Sequence, residues 1–299
     1  MMVARLRRRA GRRGWSHSVA GTGWGESTYA ETAWEKSRGA ALRWGIGGAL
    51  VGLVAGLVAF APASWAARWV ASATEQRLLL ADARGTVWSG SAVPVLTGGP
   101  GSRDASALPG RMAWTLALKG LGFELRLRQA CCLNGTVPLQ LKPGLGRLNV
   151  VLPAPPGGWI GQWPSAWLSG LGTPFNTLQL GGAIRLSSPG GIQFESVQGR
   201  WLVRGRADVE LMNASSRLST LDTLGSYRLT VNGDAAGAAQ LLLSTLEGAL
   251  QLSGNGTVGA NGVRFRGEAR AATGDDAALA NLLNIIGRRD GARSVISIG

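Results

Sequence analysis

Histidine is almost absent from this chain, because His17 is the only one among its 299 residues. The patterned part of the sequence therefore contains no Ser-His-Asp triad, no Cys-His pair and no histidine metal site. A serine-lysine or paired-carboxylate enzyme would not need histidine, but the spacing of the acidic residues indicates neither. The sequence predicts no catalytic residue, no cofactor and no metal.

Lysine is also scarce, so the formal net charge of +14 comes almost entirely from arginine. A basic chain suggests a nucleic-acid partner when the charges form a block. Up to Arg43, nine basic residues face three acidic ones, which leaves +8 of the net charge for the much longer remainder. Because these remaining positive charges are spread along predicted strands and form no block, we expect no nucleic-acid partner.

Cysteine is limited to the adjacent pair Cys131 and Cys132. Two thiols cannot build a structural zinc site. Neighbouring residues of a strand point to opposite faces, so a disulfide between them requires a turn. Two alternatives stay open: one buried and one semi-exposed thiol, or a vicinal disulfide in an oxidising compartment.

Long apolar runs are missing except for one, the uncharged stretch 44–67, which is long enough to cross a bilayer. Arginines precede it, and basic flanks stay in the cytoplasm. We expect Pro62 to mark the outer end of this segment, with Trp65 and Trp69 at the membrane interface. The chain is therefore predicted to have three parts: a disordered basic cytoplasmic tail at 1–40, a transmembrane anchor at 41–69, and a periplasmic β-rich domain at 70–299.

A cleaved signal peptide is the competing interpretation of this segment. Ala71-Ser72-Ala73 has the small-x-small form of a cleavage site. The charged region before the apolar run is very long, however, and the run exceeds the usual ~7–15 residues. These lengths favour a retained, single-pass anchor.

From Gln76 onward the apolar residues recur with a period of two. The segments 121–128, 200–211 and 263–270 each alternate apolar with charged residues, which predicts strands with one apolar and one charged face. Glycine-containing turn signals separate them and favour an antiparallel meander with one side buried. Gly254–Gly259 matches G-x-G-x-x-G, but a strand pattern follows instead of a helix, so we interpret it as a hairpin turn.

Two short helices are predicted within this β region. In the segment 155–171, Trp159, Trp163 and Trp167 recur every four residues and would form one aromatic stripe. Asp275 and Asp276 precede a leucine-rich helix at 277–286, which Gly287 can cap before a last strand at 294–298. The predicted fold class is mainly β, with a single N-terminal transmembrane helix followed by an antiparallel β-meander or curved-sheet domain and a short C-terminal helix.

Two short motifs stand at the start of the β region. The first reads G-T-V-W-S-G-S-A, in which glycines allow bends and the tryptophan is expected to plug the end of a sheet. The second reads L-P-G-R-M-A-W. The candidate site residues are structural and comprise Gly85, Thr86, Val87, Trp88, Gly90, Leu108, Pro109, Gly110 and Trp114.

An anchor followed by these motifs in this order resembles the type II secretion system protein N family. Phe265–Ala269, the leucine-rich helix and the closing strand fit as well, so the resemblance spans about residues 44–299, while the long N-terminal tail departs from it. It implies a non-enzymatic accessory of the inner membrane, with most of the chain in the periplasm, that aids export of folded proteins across the outer membrane of Gram-negative bacteria. Its implied partners are other inner-membrane and periplasmic secretion-system proteins.

The alternative function is lipid handling, because the family is distantly similar to AsmA-like envelope proteins. A meander with a continuous apolar side can fold over a core or expose a groove to acyl chains. An open apolar groove would favour lipid, whereas a closed core with exposed edge strands would favour pairing with protein.

Overall fold

The computed structural model describes residues 23–197, 200–233, 238–259 and 262–299. The chain forms two compact units, Met1–Val58 and Ala59–Gly299. One helix, α1 (Gly23–Ala59), accounts for the described part of the first unit. Its portion Ala41–Ala59 is long and apolar enough to cross a membrane, none of it is buried, and no other described helix has this length and composition.

The start of α1 differs from the predicted disordered tail at 1–40. Residues 23–40 are helical, and residues 1–22 lie outside the described part of the chain. This segment contains no proline and is rich in alanine and glutamate, which favour helix, so the helix extends beyond the apolar run.

The predicted anchor at 41–69 is interrupted in the structure. Helix α1 ends at Ala59, and Pro62 stands at the N-cap of a second helix, α2 (Ala63–Ala73), which belongs to the second unit. Proline lacks the backbone N–H that a continuing helix needs, which explains the break. Residues 63–69 are therefore part of the folded body.

The rest of the second unit is a sheet of antiparallel strands with short helices, so the predicted mainly β fold is confirmed. The described strands are β1 (Leu78–Gly85), β2 (Ser89–Thr97), β3 (Ala105–Ala107), β4 (Met112–Lys119), β5 (Gly122–Arg128), β6 (Thr136–Gly144), β7 (Arg147–Leu152), β8 (Trp159–Pro164), β9 (Gly181–Ser187), β10 (Ile192–Val197), β11 (Arg200–Ser215), β12 (Gly225–Gly233), β13 (Ala239–Glu247), β14 (Leu250–Gly259), β15 (Gly262–Ala271), β16 (Arg288–Asp290) and β17 (Arg293–Ile298). The remaining helices are α3 (Phe175–Leu178), α4 (Asp276–Ile286) and 3-10 turns at Pro156–Gly158 and Ser165–Leu171.

The strands follow one another in a meander with two additions: the short strand β3 pairs with β2 beside β4, and β9 branches from β11. Pairing runs β1-β2-β4-β5-β6-β7-β10-β11-β12-β13-β14-β15-β17-β16. The 16-residue strand β11 pairs with β12 on one edge and with both β10 and β9 on the other, and β8 extends the branch from β9. Consecutive antiparallel strands need only short connections, which agrees with the turn signals in the sequence.

Helix α4 forms as predicted and covers one end of the apolar face. Leu279, Leu282 and Leu283 are fully buried in a cluster with residues of β12, β14 and β15. Gly287 does not act as the expected left-handed cap, because its backbone is extended. A Cβ there would lie 2.4 Å from the Val295 carbonyl oxygen, so glycine permits the close approach of β17.

The tryptophan-rich segment is not the predicted helix. Trp159–Pro164 is strand β8, and only short 3-10 turns lie before and after it, at Pro156–Gly158 and Ser165–Leu171. Prolines at its ends and the positive φ of Gly157 and Gly158 prevent a continuous helix. A register shift pairs Trp159 with Ser187 but Trp163 with Ile184, on opposite faces of β9, so no aromatic stripe forms.

The G-x-G-x-x-G segment is also a strand, not the predicted turn. It lies in β14, which pairs along its length with β15. A Cβ at Gly254 would lie 2.5 Å from the Phe265 ring, and one at Gly256 would lie 3.0 Å from it. These glycines therefore make room for an aromatic ring of the neighbouring strand.

Candidate functional site

The first motif forms the tight turn between β1 and β2. Gly85 and Gly90 are directly paired, and Gly85 has a φ of +88°, which favours glycine. The Thr86 N–H donates to the Ser89 carbonyl oxygen at 2.8 Å, and the Ser89 N–H donates to the Thr86 hydroxyl at 3.1 Å. The threonine side chain thus closes the turn.

This turn binds the segment through which the chain enters the second unit. The Val87 N–H donates to the Ala61 carbonyl oxygen at 2.9 Å. Pro62 forms a bridge with Thr86, and Ala63 is buried in the adjacent apolar cluster. Each of these contacts lies within Ala59–Gly299. The motif therefore holds the start of α2 against the sheet.

Trp114, from the second motif, locks the first one. Its side chain is 6% exposed and its indole N–H donates to the Val87 carbonyl oxygen at 3.1 Å. A Cβ at Gly90 would lie 2.5 Å from the Trp114 ring, so only glycine fits beneath it. Trp88, expected to be the plug, is half-buried and its ring centroid lies 6.3 Å from that of Phe123.

The remaining second-motif residues connect β2 to the turn after β5. Leu108 is buried and its N–H donates to the Pro94 carbonyl oxygen at 2.8 Å. The Pro109 carbonyl oxygen accepts a bond from the Gln129 side-chain amide at 3.4 Å and lies 3.0 Å from the Cys131 sulfur. The second motif thus reaches both the first motif and the cysteine pair.

Cys131 and Cys132 are joined by a disulfide, the second of the two alternatives left open by the sequence. They lie in a turn, as such a bond requires. The Cys132 carbonyl oxygen accepts a bond from the Gln162 N–H at 2.7 Å, and the Asn134 N–H donates to the Ile160 carbonyl oxygen at 2.9 Å. The cysteine turn is therefore a second attachment for strand β8, which also pairs with β9.

The charged face of the sheet, opposite its apolar face, contains two buried acidic residues in the described part of the chain. Asp208 is 6% exposed and accepts bonds from the Thr230 hydroxyl at 2.6 Å and from Arg206 at 3.1 Å. Burial alone would raise the pKa of Asp208, but Thr230 and Arg206 together hold that pKa below its ordinary value. Hydrogen bonds from Lys119 and then Arg126 likewise lower the pKa of Glu124.

Three arginines of β15 lie on the same charged face but, unlike Asp208 and Glu124, have no partner of opposite charge among the described residues. Arg264, Arg266 and Arg270 are exposed, and none forms a salt bridge with a described residue. We call them the β15 arginine patch. Their uncompensated charge gives this end of the sheet a positive field.

The apolar face of the sheet contains a row of side chains that are only partly buried. Directly paired residues of an antiparallel sheet lie on one face, so the pairings place six apolar side chains in line across six strands. The row consists of Leu118, Phe123, Leu141, Val150, Phe194 and Val203. Leu118 is exposed and the other five are half-buried. We call this set the apolar row.

Catalytic geometry is not evident in the described part of the chain. No group of three or more His, Cys, Asp or Glu side chains there could hold a metal ion. A cavity of about 680 Å³ near α3 is lined by charges of both signs, including Arg103, Asp104, Arg217 and Asp222. Asp104 accepts a bond from the Asn176 amide at 3.2 Å, which is a structural contact.

A family model described as "Type II secretion system (T2SS), protein N" matches residues 76–296, most of the chain. The chain belongs to this family. The resemblance seen in the motifs is thereby confirmed. No curated protein and no solved structure matches the chain significantly.

The protein N match begins after α2 and includes both motifs and the cysteine turn. The structure brings the two motifs together through Trp114, and it links the second motif to the cysteines through Pro109. Gly110 makes no such contact, and its φ of +79° explains the glycine before β4. The other eight motif residues form a network of contacts that links the start of α2, the first strands and the cysteine turn, and we call this network the structural joint.

Sequence reasoning missed the residues that complete this joint. Ala61 and Pro62 bind the first motif, and Gln129 and Asn134 bind around the cysteine turn. The sequence pattern identifies Pro62 only as the end of the apolar segment. The spacing of these residues carries no signal, because their contacts depend on strands that pair across distant parts of the chain.

Proposed function

We propose that this protein N family member is a non-enzymatic accessory component of the type II secretion system in the bacterial inner membrane, where it aids export of folded proteins across the outer membrane. The family match over residues 76–296 is the observation that carries the proposal. The absence of histidine after His17 supports a role without catalysis. Its partners are other inner-membrane and periplasmic secretion-system proteins.

In this proposal, Ala41–Ala59 crosses the inner membrane once and the second unit lies in the periplasm. The arginine-rich flank before the helix supports a cytoplasmic N-terminus. The disulfide between Cys131 and Cys132 supports the periplasm, because disulfides persist in oxidising compartments. Reporters fused to Gly299 test this orientation: one that is active only outside the cytoplasm should work, and a cytoplasm-specific one should not.

The β15 arginine patch is the proposed surface for an acidic partner. Complementary charge mainly accelerates encounter and selects the partner. The edge of β17 beyond Val295 adds unpaired backbone, since β16 pairs only with its first half within the described residues. Exposed edges of this kind can accept a strand from another protein.

Secretion in cells that lack the endogenous protein tests the function. Wild-type chain should restore release of folded substrate into the medium. Charge reversal of the patch, R264E/R266E/R270E, should reduce release while the chain stays folded, because exposed charges contribute little to stability. The control R77E/R103E/R147E changes the same total charge at scattered exposed positions and should restore release. Equal effects of both triple variants would contradict a specific patch.

Lipid handling of the AsmA-like kind is a second candidate, and the apolar row favours it. A half-buried apolar line across the sheet could contact an acyl chain. Mass spectrometry of lipid extracted from purified protein tests this function. Stoichiometric lipid in the wild type that is lost in L141Q/V150Q would support it, whereas equal trace lipid in both proteins would count against it.

A further inference from the structure

Helix α2 presents its largest side chains away from the protein. Ala63 is buried against the sheet, and Ala66, Ala67 and Val70 are partly buried. On the exposed face, Trp65 and Trp69 are 45% and 67% exposed. A surface helix normally turns its bulky apolar residues toward the core. Here alanines face the core and tryptophans face outward.

The outward residues form one continuous surface. Trp65, Arg68, Trp69 and Ser72 recur at helical spacing and are all exposed, so they share a face. Phe60, which follows α1 directly, is 79% exposed. We call Phe60, Trp65, Arg68 and Trp69 the aromatic face. The two indole rings, each with an apolar body and a polar N–H, together with the phenyl ring and one cation, match the chemistry of a lipid headgroup region.

We propose that the aromatic face inserts into the headgroup layer on the outer surface of the membrane that Ala41–Ala59 crosses. The inference rests on the proposed membrane anchor. Only residues 60–62 separate the two helices, and three residues span at most about 11 Å. The aromatic face therefore begins where the apolar segment ends. Arg68 provides a guanidinium for lipid phosphate, and short helices with such a face lie in the interface plane.

The consequence is a fixed orientation for the periplasmic sheet. Helix α2 is held by the first motif through the Val87–Ala61 and Thr86–Pro62 contacts, and Ala63 packs with Trp114. A helix bound to lipid on one face and to the sheet on the other would place the β1–β2 end of the sheet at the membrane. In this proposal, the role of the first motif is to hold the membrane-bound helix α2 against the sheet.

The test uses full-length protein in vesicles of phosphatidylethanolamine and phosphatidylglycerol. An environment-sensitive fluorophore is attached to W65C or W69C, and to L121C as a matched control at an exposed apolar residue in the β4–β5 turn. The native cysteines are joined to each other and do not react under oxidising conditions. Because the substituted side chains are exposed, the packed alanines of α2 are retained, and thermal melting of each labelled protein verifies this.

At both α2 positions we expect blue-shifted emission and quenching by spin-labelled lipids several times stronger than at L121C. Water-like emission at both positions in folded protein would overturn the inference. Blue-shifted emission without lipid quenching would overturn it too, because a second copy or another protein would then occupy the face. Failure of the protein to float with the vesicles would overturn the anchor itself and this inference with it.

Discussion

Trp114→Ala is the substitution that tests the joint between the two motifs. The change removes a tryptophan that is 6% exposed and a hydrogen bond of 3.1 Å to the Val87 carbonyl. Replacing a buried tryptophan with alanine costs about 3–5 kcal/mol. In a domain of this size that loss lowers the melting temperature by roughly 6–20 °C.

Three comparison variants separate the contributions of packing, hydrogen bond and position. Trp114→Phe keeps most of the ring but loses the donor, so we expect a loss of about 1–2 kcal/mol. Trp88→Ala should cost less than Trp114→Ala, because Trp88 is only half-buried. Trp65→Ala removes an exposed tryptophan of α2 and should change stability by about 0.5 kcal/mol or less.

The assay is denaturant unfolding of the detergent-solubilised full chain, followed by circular dichroism in the β-sheet band, which does not depend on tryptophan fluorescence. The free energy of unfolding should fall in the order wild type, Trp114→Phe, Trp114→Ala. An unchanged stability of Trp114→Ala would refute this reasoning. If Trp88→Ala lost as much stability as Trp114→Ala or more, Trp88 and not Trp114 would be the tryptophan that fills the end of the sheet.

Three further predictions concern the charged face and the cysteine turn. A carboxyl group whose pKa is lowered by folding stabilises the fold above its unfolded pKa, about 4, and loses that contribution as pH falls through its folded value. Thermal melts should therefore show stability declining below about pH 4, less steeply in Glu124→Gln, and a pH-independent melting temperature down to pH 3 would contradict the lowered pKa values of Glu124 and Asp208. Asp208→Asn should restore secretion in cells if it folds, whereas a folded but inactive variant would indicate carboxylate chemistry. Replacing Cys131 and Cys132 with serine should speed hydrogen exchange at the Gln162 amide that binds the turn, and unchanged protection would show that the disulfide does not hold β8.

The strands were predictable because alternation reports burial directly. A period of two in 263–270 is sufficient to define β15, and the short connection before it predicts its pairing with β14. Its pairing with β17 crosses the segment that contains α4 and β16, so it does not follow from a short connection. Helix α4 was equally clear, since its leucines recur at helical spacing after two aspartates. Both signals are local, and local patterns survive in any arrangement of the remaining chain.

The tryptophan-rich segment shows where local patterns fail. The spacing of four residues between its tryptophans fits a helix. Prolines prevent that helix, and a register shift in strand β8 places Trp159 and Trp163 on opposite faces. The choice between Trp88 and Trp114 as the buried ring depends on the pairing of β2 with β4, which no local pattern encodes. The exposure of Trp65 and Trp69 follows in the same way from which face of α2 meets the sheet.

The most direct test of a secretion role is cross-linking in the native membrane. A photo-reactive amino acid is placed at Arg266, within the β15 arginine patch, and at Arg147 as an exposed control outside it. Arg266 should give adducts that contain inner-membrane or periplasmic secretion-system proteins, and Arg147 should give few or none. Adducts with lipid alone, or identical adducts at both positions, would contradict an accessory role exercised through this surface.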